Sequence, residues 1–77
     1  MFVPKAELSE LRLAYKKAVD DWVQTIRAEE SLATTDHSMT AMELWDEAHF
    51  KEEDARARAT EARDAYKDAL RDVNYGI

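Results

Sequence analysis

The chain has 77 residues, one glycine, one proline and no cysteine. A chain of that length folds as one small domain, with no room for a second domain or a deep enclosed pocket. Without cysteine there is no disulfide and no thiolate metal site. Eleven basic and seventeen acidic residues leave a net charge of −6, a balance opposed to binding DNA or RNA, where cations must neutralise phosphates.

Thirteen of the apolar residues are alanine, leaving twenty-two larger side chains for a core. The acid is uneven: residues 1–38 sum to −2 and residues 39–77 to −4, with the two signs interleaved throughout. Interleaved charge is the mark of a solvated helix surface. The first residues, Met1-Phe2-Val3-Pro4-Lys5, lack the apolar core of a secretory signal. No apolar run reaches the ~20 residues that span a bilayer. The expectation is a cytoplasmic protein with no membrane or nucleic-acid partner.

Proline and glycine stand only at the ends, as Pro4 and Gly76, and one stretch of turn-formers, Thr34-Thr35-Asp36-His37-Ser38, lies between them. Both residue types break helices. The pattern predicts an all-α, two-helix antiparallel hairpin over 1–77, with helix 1 at about 4–33, a loop at about 34–38 and helix 2 at about 39–74. Pro4 suits a first helical position, where its missing N–H would be unpaired anyway.

In helix 1 the apolar positions Leu8, Leu11, Tyr15, Ala18, Val19, Trp22, Ile26 and Ala33 recur in steps that return to one face. In helix 2, Ala41, Trp45, Ala48, Glu52, Ala55, Ala59, Ala62, Tyr66, Ala69 and Val73 alternate steps of four and three. A sustained repeat of about 3.5 residues is the signature of left-handed coiled-coil packing. The start of helix 2 is marked by Thr40-Ala41-Met42-Glu43, which fits a capping box, with Met39 and Leu44 placed for a hydrophobic staple. Ser38 and Asp36 are alternative caps. Glu47–Lys51, Glu52–Arg56 and Asp54–Arg58 are acid-before-base pairs four residues apart, each worth about 0.2–0.5 kcal/mol of helicity.

A tight turn folds helix 2 back on helix 1 so that Ile26 faces Trp45, Trp22 faces His49, Val19 faces Glu52, Leu11 faces Ala59 and Leu8 faces Ala62. Large residues then oppose alanines, and the seam is bulkiest near the turn, around Trp22, Ile26, Met42 and Trp45. The interface or core set is Leu11, Tyr15, Trp22, Ile26, Trp45, Ala55, Ala59, Ala62 and Tyr66. Residues after about Lys67 overhang helix 1, so that Leu70, Val73, Tyr75 and Ile77, with Phe2 and Val3, form an end cluster or a docking tail. One seam of this kind is too small to offset the ordering of some 70 residues. Pairing of two hairpins into a four-helix bundle is the expected remedy, giving a homodimer or a complex with another helical protein.

Reactive groups are sparse. Ser9, Ser31, Ser38 and the five threonines lack a His–Asp partner set, so no catalytic residue is assigned. No phosphate loop fits a single terminal glycine, so no cofactor is assigned. His37 belongs to the loop. Asp46 and His49 sit one helical turn apart, the spacing at which di-iron bundles present ligands. The leading reading has His49 packing its ring on Trp22 with one nitrogen in water, and no metal is assigned; Asp46 and His49 are the weak alternative as metal ligands, completed only if an oligomer brings two copies together. Glu29 and Glu52 interrupt the seams at separate levels, and Glu52 is expected to reach for Arg56 or to fix register. Trp22 and Trp45 read as core. The expected function is a non-enzymatic structural or interaction module. The alternative is an acidic mimic of nucleic acid using Asp46, Glu47, Asp54, Glu61, Asp64, Asp68 and Asp72.

Overall fold

A computed structural model of the chain describes residues 5–33 and 37–75. Two helices, α1 (Lys5–Ser31) and α2 (Met39–Tyr75), pack along their lengths as an all-α hairpin. Phe2, Val3, Pro4, Asp36, Gly76 and Ile77, to which capping, end-cluster and punctuation roles were assigned above, lie outside the described residues.

The start of α2 is set by Ser38. Its hydroxyl accepts from the Ala41 backbone N–H at 3.1 Å, and its carbonyl accepts from the Met42 N–H at 3.1 Å. Ser38 is thus the N-cap. This corrects the expected Thr40–Glu43 box: Thr40 is already inside the helix, where its hydroxyl is past the position that can cap. Along the exposed surface, Lys51–Glu47 and Arg58–Asp54 pair at 3.4 and 2.9 Å, and Lys17–Asp21 adds a third pair of the same spacing at 3.2 Å.

The seam follows heptad spacing, with Val19 half-buried beside it. On α1 and the residue after it, Leu8, Leu11, Tyr15, Ala18, Trp22, Thr25, Glu29 and Leu32 are half-buried, in unbroken steps of three and four. On α2 the matching positions are the buried Ala55, Ala59 and Ala69, with Ala41, Ala48, Glu52, Ala62 and Tyr66 half-buried. Alanine lets two helix axes approach closely while the larger Leu, Tyr and Trp side chains of α1 wrap its methyl groups. Ala55 and Ala59 keep only 2% and 3% of their surface.

The apolar stripe of α1 parts from this seam towards its C-terminal end. Ile26 and Ala33 fall just outside it, while Thr25 and Glu29 fall inside. The reason is the difference between two periods. Leu8, Leu11, Tyr15, Val19, Trp22 and Ile26 track a straight helix of 3.6 residues per turn, whereas a wound pair holds contact every 3.5. Ile26 and Trp45 keep 40% and 39% of their surface, and Met42 keeps 58%. The turn end is therefore the open end of the hairpin rather than its bulkiest packing.

The register also departs from the tight-turn expectation. Glu52 meets Trp22 rather than Val19, and His49 meets Glu29 rather than Trp22, a slide of about one to two helical turns. Leu32 and Ala33, after α1, border the same surface depression as His37, Ser38, Ala41, Met42 and Trp45. The overhang moves with the register. Ala69 is buried and Tyr66 and Leu70 are half-buried, although the stretch after Lys67 was expected to lack a partner. Met39 at the opposite end keeps 71% of its surface.

The result is a rod of 57 × 15 × 12 Å with a radius of gyration of 17.5 Å, against about 11–12 Å for a globular chain of this length. It exposes 6159 Å², where a compact monomer of this mass exposes about 4,800 Å².

Candidate functional site

The polar groups that the heptad draws into the seam meet at one level of the rod. Glu52, on α2, accepts a hydrogen bond from the indole Nε1–H of Trp22, on α1, at 3.0 Å. This corrects the expectation that Glu52 reaches along its own helix to Arg56. The seam position aims the carboxylate at α1, and a half-buried carboxylate gains more from a donor across the interface than from an exposed guanidinium.

One turn earlier on α2, His49 stands between two glutamates. Its Nδ1 lies 3.7 Å from Glu29 Oε1, across the interface, and its Nε2 lies 3.1 Å from Glu53 Oε1, one turn along α2. The ring is also 6.4 Å from that of Phe50, tilted by 48°. His49 therefore turns to carboxylates rather than packing on Trp22. Glu29 and Glu52, expected at separate levels, approach one another, and one ligand atom each from Glu29, His49 and Glu52 lie within 4.8 Å of one another. The three belong to a single chain, and Asp46 is not among them; it lines the open depression with His37, Ala41 and Trp45. The trio replaces the expected Asp46–His49 pair because the register brings Glu29 and Glu52 to the level of His49.

The charge at this level is one-sided. Glu29, Glu52 and Glu53 surround one imidazole, and among the described residues no lysine or arginine pairs with any of the three. Elsewhere some carboxylates do have a base beside them, Asp21 with Lys17 among them. In the acidic row along α2, Glu47, Asp54, Asp64 and Asp68 pair with Lys51, Arg58, Arg63 and Arg71.

The remaining residues singled out in the sequence are distributed along the rod. Leu11, Tyr15, Trp22, Ala62 and Tyr66 are half-buried in the seam, Ala55 and Ala59 are buried in it, and Ile26 and Trp45 border it with substantial exposure. The depressions between the helices are open and shallow. One is lined by Thr25, Ala28, Leu32, Leu44 and Ala48, and another by Tyr15, Val19, Trp22, Arg56 and Ala59. Glu29 and Glu53 were the site residues that apolar patterning did not assign. A strict heptad count from Tyr15 and Trp22 finds Glu29, and its partnership with His49 follows once the register is known.

Among the described residues, no helix is long and apolar enough to cross a membrane. Fold and site together define an antiparallel alanine-seamed coiled-coil hairpin carrying a cross-helix carboxylate–imidazole cluster. No protein-family model, curated protein or solved structure matches the chain.

Proposed function

We propose that this chain is a non-enzymatic structural module that acts through helix–helix contacts, with a second copy of itself as the first partner. The carrying observation is the imbalance between what the hairpin buries and what it leaves open. Its buried set is Ala55, Ala59 and Ala69, while Leu13, Ile26, Met39, Met42, Leu44 and Phe50 keep between 40% and 71% of their surface. The excess over a compact monomer, about 1,300 Å², is of the order that one protomer of a stable dimer covers, about 800 Å² or more.

A four-helix bundle is the arrangement this favours, because two hairpins can lay their exposed borders together while keeping both alanine seams intact. The open end, with Ile26, Met42 and Trp45, supplies the largest side chains for that contact. Four of the seven carboxylates in the acidic row on α2 pair with cations, which favours this reading over nucleic-acid mimicry, since a phosphate mimic needs its carboxylates free of cations. Size-exclusion chromatography with light scattering tests the proposal. A mass of twice 8.9 kDa supports it, and a folded particle of 8.9 kDa at micromolar concentration overturns it.

A further inference from the structure

We propose that Glu29, His49 and Glu52 form a binding site for a first-row divalent transition-metal cation, of which Zn²⁺ is the representative probe, and that the ion ties α1 to α2 near the open end of the hairpin. The three residues belong to one chain, so the site is independent of self-association.

Three observations carry it. The first is proximity: donor atoms from all three residues lie within 4.8 Å of one another. With metal–ligand bonds of about 2.0–2.2 Å, donors on a tetrahedral ion stand about 3.5 Å apart, so small side-chain rotations close the set. Glu29 comes from α1 and the other two from α2, so closure joins the helices.

The second is the donor set. One imidazole nitrogen with two carboxylates suits zinc, manganese, iron, cobalt or nickel, whereas Ca²⁺ takes six to eight oxygens and Mg²⁺ holds its water. The groups behind the ligands are also those that tune such a site. Metal-bound imidazoles commonly carry a carboxylate on the far nitrogen, and ligating carboxylates accept an outer hydrogen bond. Glu53 stands 3.1 Å from His49 Nε2 while Nδ1 faces Glu29, and the Trp22 indole N–H holds Glu52 at 3.0 Å.

The third is charge. Three carboxylates share one imidazole with no lysine or arginine paired to them among the described residues, while four carboxylates of the acidic row on α2 each have a cation beside them. A divalent ion answers that local excess. It also acts where apolar packing is thinnest, because the buried alanines begin only at Ala55.

Metal binding to the folded hairpin adds to its stability in proportion to the logarithm of ion concentration. The test titrates ZnCl₂ into the full chain after removal of metal with a chelator, read by calorimetry and by thermal melts. The Trp45→Phe background lets fluorescence report on Trp22 alone. The expected result is one ion per chain with a dissociation constant in the micromolar range, a melting temperature that climbs with zinc, and a change in Trp22 emission over the same titration. Loss of a ligand in His49→Gln or Glu29→Gln weakens binding at least a hundredfold. Glu53→Gln weakens it about tenfold, as outer partners do, and Asp46→Asn and His37→Gln leave it unchanged. Glu29→Asp keeps the charge and helix content but shortens the reach, and it too weakens binding. Absence of a saturable zinc isotherm overturns the proposal. So does unchanged affinity in His49→Gln and Glu29→Gln, or Mg²⁺ binding as tightly as Zn²⁺, which marks diffuse attraction to acid.

Discussion

Trp22 and Glu52 are joined across the hairpin by an indole N–H···carboxylate hydrogen bond of 3.0 Å. It is the described side-chain hydrogen bond that crosses between the helices, and it fixes which turn of α1 lies beside which turn of α2. A directional bond does this where alanine methyl groups, which slide past one another, do not. Removing the donor in Trp22→Phe leaves a half-buried carboxylate oxygen without its partner and should cost about 1–3 kcal/mol. Glu52→Gln retains an acceptor and should cost less. A double-mutant cycle by urea unfolding should return a coupling energy of about 1 kcal/mol; additive losses would show that the bond does not set the register.

The alanine seam sets the distance between the axes. Ala59 keeps 3% of its surface and Ala57, two residues away, is exposed. Ala59→Leu should therefore overpack the seam and destabilise the protein by about 1–3 kcal/mol. Ala57→Leu, with the same change in volume and helix propensity, should stay within about 0.5 kcal/mol of the parent. Chemical denaturation of the two variants side by side separates packing from propensity.

Capping at Ser38 gives a local prediction. Ser38→Ala should lower stability by about 1 kcal/mol, the usual loss for an N-cap hydroxyl, and Thr40→Ala should have little effect. Hydrogen exchange at the Ala41 amide gives the site-specific readout. It should accelerate in Ser38→Ala and stay at the parent rate in Thr40→Ala.

The exposed border at the open end predicts that pairing can be weakened by substitutions that leave the helices of the concentrated protein in place. Ile26→Glu and Met42→Glu place charge on side chains that keep 40% and 58% of their surface in the single hairpin. Each should leave the helical circular dichroism of concentrated protein largely intact while raising the dimer dissociation constant at least tenfold, or about 1.4 kcal/mol. Sedimentation velocity over a dilution series measures the constant.

The hairpin and its alanine face are legible in the residues because they depend on local spacing alone: glycine and proline at the ends, one polar stretch near the middle, and Ala55, Ala59 and Ala62 in heptad steps. The register is not, because apolar pattern constrains which face a helix buries far more than where along its partner it stops. The observed pairs Trp22–Glu52 and Glu29–His49 each lie about one or two turns from the register that apolar spacing suggests. The carboxylate–imidazole cluster was hidden by that same slide. His49, Glu29 and Glu52 each stood out in the sequence as polar residues near a seam, and only the observed register brings them to one level. Ile26 and Trp45 show the second limit: a straight-helix stripe of apolar residues diverges from a wound seam within a few turns.

The concentration dependence of unfolding tests most directly whether the surface left open by this hairpin is covered by a second copy. If folding and pairing are coupled, the urea midpoint of the full chain should rise steadily with protein concentration. A hundredfold increase in chain concentration should add about 2.7 kcal/mol to the apparent stability of the dimer. A midpoint that stays constant over that range, with a cooperative transition throughout, would mean that the alanine-seamed hairpin is stable alone and would contradict the account.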